Sequence, residues 1–234
     1  MDNYREKMLE AIKNRHSVRN YLPTPLTPDT ISLLQKKIDE LNHEGHLNMQ
    51  LVVDEPKGFS GILAYGKFSG VRNYVVVAGK KDDSLDERIG YYGEQLVLYA
   101  QSLGLNTCWA GLSYRKVKGT YELKEGEKIG CYIAIGYGEN QGVGHKIKTP
   151  EEISNVSAST PEWFLEGVRA ALLAPTAINQ QKFSFEYVAP TAADEKATVV
   201  ANKGFSLVGY TNMDLGIAKY HFEIGAGTDN FTWK

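Results

Sequence analysis

The sequence predicts an α+β protein made of two related halves. Residues 4–14 and 28–41 repeat apolar side chains at helical spacing, whereas Tyr74–Ala78 and Cys131–Ile135 are short apolar runs typical of central strands. The order of elements then begins again beyond residue 150. Because 234 residues with 42% hydrophobic side chains can bury a sizeable core, we expect one large or two small globular domains.

The composition excludes several classes of partner. The formal net charge of -2 gives no overall basic field that would attract nucleic acid or an anionic membrane, and no stretch is apolar enough to span a bilayer. Residues 1–13 alternate charged and apolar side chains, so we expect no signal peptide. Cys108 and Cys131 each stand beside an aromatic residue in an apolar segment, which predicts buried thiols and a reducing, cytoplasmic location.

Caps and breakers define the elements of the first half. Thr27 is expected to cap the second helix, with Pro28 at its first helical position. Residues 48–54 have the pattern of a strand. Residues 93–103 return to helical spacing, and we expect that helix to end at Gly104.

The same elements recur after a glycine-rich loop at 136–144. Thr160–Pro161 mirrors Thr27–Pro28, and each pair is expected to open an amphipathic helix that a strand follows, here Phe183–Val188. Two glycines eleven residues apart are expected to bracket a later helix in each half: Gly93 and Gly104, then Gly216 and Gly227. We set the two halves at 1–150 and 151–234. Since this order of elements occurs in many α+β proteins, it is only moderate evidence for a repeat, and the chemical motifs below strengthen it.

The segment that follows the first helix has the composition of a phosphate-binding arm. Its sequence is Arg-His-Ser-Val-Arg at 15–19, with two guanidinium groups and a hydroxyl. Alternate side chains of an extended segment point the same way, so Arg15, Ser17 and Arg19 can converge on one anionic ligand. A solvated basic turn would explain the same residues.

Two other segments offer backbone and amide groups to a flat, polar-edged ligand. In residues 174–181, Pro175 stops a helix, and small residues with the carboxamide of Asn179 follow. In residues 103–111, a helix ends in glycine, and the small residues after Trp109 let the backbone approach a ligand closely. Taken alone, the first is an ordinary helix-terminating loop and the second a buried turn.

Four motifs together resemble the FMN-dependent nitroreductase family. They are Arg-x-Ser-x-Arg at 15–19, Ala-Pro-Thr-Ala-x-Asn-x-Gln at 174–181, Gly-Leu-x-Thr-Cys-Trp at 104–109 and Ala-Ile-Gly-Tyr at 134–137. The resemblance covers most of the chain. It implies mixed, mainly antiparallel sheets flanked by helices, a bound FMN, and a cytoplasmic oxidoreductase.

The chain departs from the usual family layout in the order of these motifs. Ordinary members carry an Ala-Pro-Ser loop soon after the arginine arm, and they form homodimers in which each FMN site takes the arm from one subunit and the loop from the other. Here residues 42–45 stand where that loop is expected, the loop appears at 174–181, and the second half has no arm. The resemblance therefore implies a fused dimer with a pseudo-twofold internal repeat and one composite site, able to act as a monomer.

Carried over residue by residue, the resemblance draws the cofactor site from both halves. Lys67 matches the family pattern poorly and is not assigned. The implied contacts with the FMN phosphate are Arg15, Ser17, Lys146 and Lys148, and Arg19 is implied at the ribityl chain or pyrimidine edge. The implied ring contacts are Pro175, Thr176, Ala177 and Asn179, and the backbone at Ala110 and Gly111 is implied at flavin N5. His16 is implied as a further cofactor-binding residue, with no particular part of FMN assigned to it.

The implied reaction is centred on the flavin. NAD(P)H would give a hydride to flavin N5, and the electrons would pass to a nitroaromatic, quinone or similar small-molecule acceptor by ping-pong turnover. No side-chain acid, base or metal is required, and the five histidines have no metal-ligand spacing. Two alternatives stay open: a non-catalytic flavin-binding protein, such as a redox sensor or FMN store, and a structural module that binds no flavin.

Overall fold

The computed structural model describes residues 2–61, 64, 66–192 and 195–234. These residues form the helices α1 (Asp2–Asn14), α2 (Pro28–Gly45), α3 (Leu85–Ser102), α4 (Pro150–Ile153), α5 (Glu162–Leu172) and α6 (Thr211–Ala226). They form the strands β1 (Leu47–Val52), β2 (Asn73–Lys80), β3 (Asn106–Ala110), β4 (Glu127–Gly136), β5 (Phe183–Val188), β6 (Ala197–Lys203) and β7 (Phe231–Trp233). Two short 3-10 turns lie at Pro56–Phe59 and Ala177–Asn179.

The strands form two sheets, one on either side of residue 150 in the sequence. The first has the order β1-β2-β4-β3 and is antiparallel throughout. The second has the order β5-β6-β7, with β5 antiparallel and β7 parallel to β6. The predicted α+β class with mixed, mainly antiparallel sheets is therefore confirmed. The apolar runs Tyr74–Ala78 and Cys131–Ile135 are the two central strands, where side chains on both faces are buried.

Caps fix the first copy of the repeated Thr-Pro pair but not the second. Thr27 Oγ1 accepts a hydrogen bond from Thr30 N at 3.1 Å, with Pro28 at the first position of α2, as predicted. In the second half, the N-cap of α5 is Pro161, and the Thr160 hydroxyl instead accepts from Ser157 N at 2.9 Å. The two pairs are therefore not equivalent as helix caps: Pro28 is the first residue of α2, whereas Pro161 precedes the first residue of α5.

Helices α3 and α6 pack against each other through glycines. An added Cβ at Gly90 would lie 2.0 Å from Met213 O, and one at Gly216 would lie 2.0 Å from Glu87 O. We expected Gly93 and Gly216 to open two helices, but both lie inside them, because α3 begins at Leu85 and α6 at Thr211. Gly104 and Gly227 do follow the helix ends, with φ of 80° and 77°. Glycine is required at these inner positions because a neighbouring element occupies the space that a side chain would need. At Gly93 that neighbour is the Trp109 ring.

Both cysteines are buried and free, as predicted. Burial raises the pKa of each thiol, so neither is a thiolate at neutral pH. Among the described residues, no helix is long and apolar enough to cross a membrane.

Candidate functional site

A cavity of about 300 Å³ lies where the two halves of the chain meet, at the small end of the range for ligand sites. The segment after α1 and the turn after β3 form one side. The loop between α5 and β5 and the first turns of α6 form the other. The sequence-predicted residues that line it are Ser17, Arg19 and Gly111 from the first half, and Pro175, Thr176 and Ala177 from the second.

The arm is held in place by the edge of the first sheet. Ser17 forms a parallel bridge with Thr107 of β3, and Val18 N donates to Thr107 O at 3.1 Å. Val18 is almost completely buried. Because this segment is extended, Ser17 and Arg19 both reach the cavity while Val18 packs into the core behind them.

Arg15 and His16 lie outside this cavity, contrary to the expectation that the arm converges as a unit. Arg15 N still donates to Ala11 O at 2.8 Å, so Arg15 continues the last turn of α1 and does not follow the alternation of the extended arm. Its side chain is buried, and burial lowers its pKa, an effect that nearby Glu94 opposes. Arg15 and His16 instead line a separate space of about 30 Å³ next to His145.

Three buried polar side chains and the partly buried Trp109 form what we call the Glu94 cluster; the buried residues are Arg15, Glu94 and His221. Glu94 Oε2 accepts a hydrogen bond from Trp109 Nε1 at 2.9 Å, its Oε1 is hydrogen-bonded to His221 Nε2 at 2.9 Å, and Arg15 Nε lies 3.8 Å from Oε1. His221 Nδ1 lies 3.1 Å from Ala170 O. A carbonyl can only accept, so Nδ1 carries a hydrogen. The contact between His221 and Glu94 must then hold a further proton, on one partner or the other.

The loop at 174–181 carries the second half of the cavity and binds the basic segment as well. Asn179 is exposed, and its Nδ2 donates to Lys146 O at 2.8 Å. Gln181 Nε2 donates to the same carbonyl at 2.8 Å, and Lys148 N donates to Gln181 Oε1 at 3.0 Å. Ile178, Asn179 and Gln181 all have positive φ, so this loop is a tight, irregular turn.

Asn179, Lys146 and Lys148 are not among the residues that line the cavity. The carboxamide of Asn179 donates to Lys146 O, and Lys148 Nζ donates to Gln181 O at 2.8 Å. Together they fasten the connection between the halves against the cavity loop. Ala110 is buried one residue before the lining residue Gly111.

The sequence analysis assigns no role in the site to five polar or aromatic residues that line the cavity: Lys67, Trp109, Ser113, Tyr210 and Asp214. Lys67 matches the family pattern poorly, so the resemblance does not assign it to the site. Asp214 could have been noticed as an acidic residue inside the apolar run Met-Asp-Leu-Gly-Ile-Ala at 213–218. Among the described lining residues the charged groups are Arg19, Lys67 and Asp214, which gives the cavity an excess of positive charge.

A second cavity of about 370 Å³ lies on the far side of α3 and α6, but its charged groups bind one another. Lys219 Nζ contacts Glu87 at 2.7 Å and lies 5.0 Å from the centre of the Trp233 ring. Glu223 accepts from Tyr91 and Trp233. The cavity at the junction of the halves is therefore the better candidate site.

A family model described as "Putative TM nitroreductase" matches residues 7–226. The chain belongs to this nitroreductase family. Membership makes the protein an oxidoreductase of the nitroreductase type, as the four motifs predicted. The comparison with curated proteins gives no match.

Crystal structures of similar proteins show the same fold. A "putative nitroreductase" from Thermotoga maritima is 20% identical to this nitroreductase, with a TM-score of 0.61 over 93% of this chain and 82% of the other. Two described as a "putative nitroreductase in complex with FMN", from Desulfovibrio desulfuricans and Exiguobacterium sibiricum, are each 15% identical, with TM-scores of 0.51 and 0.50. They match 66% and 64% of this chain and 98% and 97% of their own.

Proposed function

We propose that this nitroreductase binds one FMN in the cavity between the halves and uses it to pass electrons from NAD(P)H to a nitroaromatic, a quinone or a similar acceptor. The observation that carries the proposal is the composite cavity. Ser17 and Arg19 meet Pro175–Ala177 across one space, although about 160 positions of sequence separate them. The two similar structures that contain FMN support the same cofactor.

The residues present fit a flat, anionic cofactor. Arg19 and Lys67 supply positive charge, Ser17 supplies a hydroxyl, and Trp109 and Ile217 supply apolar walls. Behind them, Arg15 Nε is buried and has no hydrogen-bond partner within the described part of the chain. The nearest acidic atom is Glu94 Oε1 at 3.8 Å, and Arg15 lines the separate space beside His145, so Arg15 is not counted among the residues that would contact the cofactor.

Bound FMN would supply the redox chemistry by accepting a hydride and passing the electrons on. The chain would bind and orient it. Arg19 and Lys67 stabilise added negative charge in the cavity. Gly111 lets the Tyr210 ring pack closely against the turn after β3, because an added Cβ would lie 2.6 Å from that ring. The mouth is open, since Leu112 and Ile178 are 71% and 78% exposed, which favours exchange of substrates over storage of the cofactor.

The direct test is stoichiometric. We expect the purified protein to show the visible absorbance of a flavin, apoprotein to bind FMN to saturation at one per chain, and NAD(P)H to bleach that absorbance. The single composite cavity is the physical reason for the one-to-one ratio. Binding without bleaching would favour a flavin store or sensor, and saturation at two FMN per chain would contradict a single composite site. Absence of flavin binding would overturn the proposal.

Arg19 should contact the ribityl chain or the ring of FMN and not its phosphate. We expect Arg19→Ala to remove a charge-assisted contact of about 1.5–3 kcal/mol, which weakens binding roughly ten- to a hundredfold. Because Arg19 lines the cavity, riboflavin should be weakened as much as FMN. The matched control is Arg169→Ala, whose guanidinium is bound to Glu162 and Glu166 on the surface of α5, and it should leave both affinities unchanged. Loss of FMN binding alone would place Arg19 at the phosphate.

A further inference from the structure

Asp214 is an acidic residue at the floor of the cavity, and it binds the loop that forms the opposite wall. It lies in the first turn of α6 and is 3% exposed. Its Oδ1 accepts from Ala177 N at 3.0 Å, and its Oδ2 accepts from Gln180 Nε2 at 2.6 Å. These two bonds hold the 174–181 loop, so Asp214 is placed between the cavity and the segment that shapes it.

The partner carboxamide can serve either protonation state of Asp214. Gln180 Nε2 also donates to Gly209 O at 3.0 Å, while Gln180 Oε1 is buried without a hydrogen-bond partner among the described residues. An amide oxygen accepts and its nitrogen donates, and the two ends exchange places by rotation of the group. An ionised Asp214 accepts from Gln180 Nε2. A protonated Asp214 can donate to Gln180 Oε1 after rotation of the amide, which exchanges the hydrogen bond from Gln180 Nε2 to Gly209 O for the one from Asp214.

The electrostatic surroundings leave Asp214 able to take a proton. Burial raises its pKa to about 6, against the two loop hydrogen bonds that lower it. Arg19 and Lys67 reach the same cavity from the arm and from the segment before β2. Cys131 of β4 and Tyr210 at the start of α6 have raised pKa values and stay neutral. The three acids of α3 have other partners: Asp86 pairs with Lys128, Glu87 pairs with Lys219, and Glu94 is hydrogen-bonded to Trp109 and His221.

We propose that Asp214 holds a proton for this cavity: its carboxyl takes up a proton when an anionic cofactor enters, and supplies that proton to the electron acceptor. The inference rests on the proposed function. An anion in the cavity raises the proton affinity of a neighbouring carboxylate, and the coupling is reciprocal, so protonation also strengthens anion binding.

The proton balance of the reaction gives this residue a use. Reduction of a quinone by NAD(P)H is quinone + NAD(P)H + H⁺ → hydroquinone + NAD(P)⁺, so one proton is needed beyond the hydride. Asp214 Oδ2 would provide it and recover it from solvent. A positioning role alone would hold the loop without exchanging a proton.

The experiment compares wild type with Asp214→Asn, which keeps an oxygen for Ala177 N and gives Gln180 Oε1 a donor after rotation. Calorimetry of FMN binding in buffers of different ionisation enthalpy measures the protons taken up, above the Asp214 pKa of about 6. We expect wild type to take up an additional fraction of a proton per FMN, and its dissociation constant to rise with pH by up to tenfold per unit more than that of the variant. The phosphate of FMN itself titrates at about pH 6, but equally in both proteins.

Asp86→Asn is the matched control, because its carboxylate is on the surface beside Lys128, and it should take up protons as wild type does. Equal uptake by wild type and Asp214→Asn would overturn this proposal while leaving the proposed function intact. Failure of wild type to bind FMN would overturn both.

The protein without cofactor gives a second measurement. The pKa of Asp214 is raised on folding, so its contribution to stability is full below the pKa of a free aspartate and is lost as pH rises through about 6. The melting temperature of wild type should therefore fall relative to Asp214→Asn over that window. Parallel profiles would show that Asp214 holds no proton and would also overturn the proposal.

Discussion

Replacement of Glu94 by alanine is expected to cost about 3–5 kcal/mol of unfolding free energy. Glu94 is fully buried and is hydrogen-bonded to both Trp109 Nε1 and His221 Nε2, with Arg15 beside it. The alanine variant would leave buried donors without an acceptor and a buried guanidinium without a counter-charge, both of which are costly in a low-dielectric interior. Denaturant unfolding monitored by far-UV circular dichroism would measure the loss.

Two variants separate the charge from the hydrogen bonds. Glu94→Gln can still accept from Trp109 and can donate to a neutral His221, so it removes mainly the charge opposite Arg15 and should cost less than the alanine. Glu87 lies two helical turns before Glu94 on α3 and forms a partly exposed ion pair with Lys219. Glu87→Ala removes this ion pair and should lower the free energy of unfolding by less than about 1 kcal/mol. A loss at Glu94 no larger than at Glu87 would contradict a stabilising cluster.

The Glu94 cluster also links the core to the candidate site. Trp109 lines the cavity with its ring while its indole N–H is held by Glu94. Because the hydrogen bond fixes the ring orientation, loss of the acceptor should loosen one wall of the cavity. We therefore expect Glu94→Ala to weaken FMN binding even where the variant is folded.

Local patterns were sufficient to predict the central strands, the first cap and the arm. Tyr74–Ala78 and Cys131–Ile135 are strands because continuous apolar runs of that length can be buried on both faces only inside a sheet. Thr27 caps α2 because the required oxygen and the proline stand at fixed offsets from the helix start. The family resemblance added what local patterns lacked, the pairing of Ser17 and Arg19 with a loop in the other half.

Contacts between distant segments account for what the sequence could not predict. In an extended segment, Arg15 would point the same way as Ser17. Arg15 N instead donates to Ala11 O and continues α1, and its side chain lies beside Glu94 of α3. Asn179 has the right chemistry for a ligand contact, but its Nδ2 donates to Lys146 O, a contact that the sequence does not indicate. Gly93 and Gly216 looked like helix ends because glycine is a poor helix former, whereas α3 begins already at Leu85 and α6 at Thr211.

Gly216→Ala is expected to destabilise the protein by about 3 kcal/mol, the upper part of the range for overpacked cores. In a solvated helix the same substitution would stabilise by roughly 0.8–1 kcal/mol, because alanine is the better helix former. The sign reverses here because an added Cβ would lie 2.0 Å from Glu87 O, and a backbone carbonyl cannot turn aside as a side-chain tip can. Thermal and denaturant unfolding of the purified variant would measure the change.

The reciprocal contact at Gly90 makes this prediction sharper. An added Cβ there would lie 2.0 Å from Met213 O, so Gly90→Ala should destabilise to a similar degree. Once either alanine has forced α3 and α6 apart, the second clash is partly relieved, so the double variant should lose less than the sum of the two single losses. Gly204→Ala is the control, since its nearest neighbour would be Lys182 at 3.5 Å, an ordinary contact. If the single losses simply add, the two glycines do not report on one shared helix contact; if Gly216→Ala stabilises, the close approach of α3 and α6 is wrong.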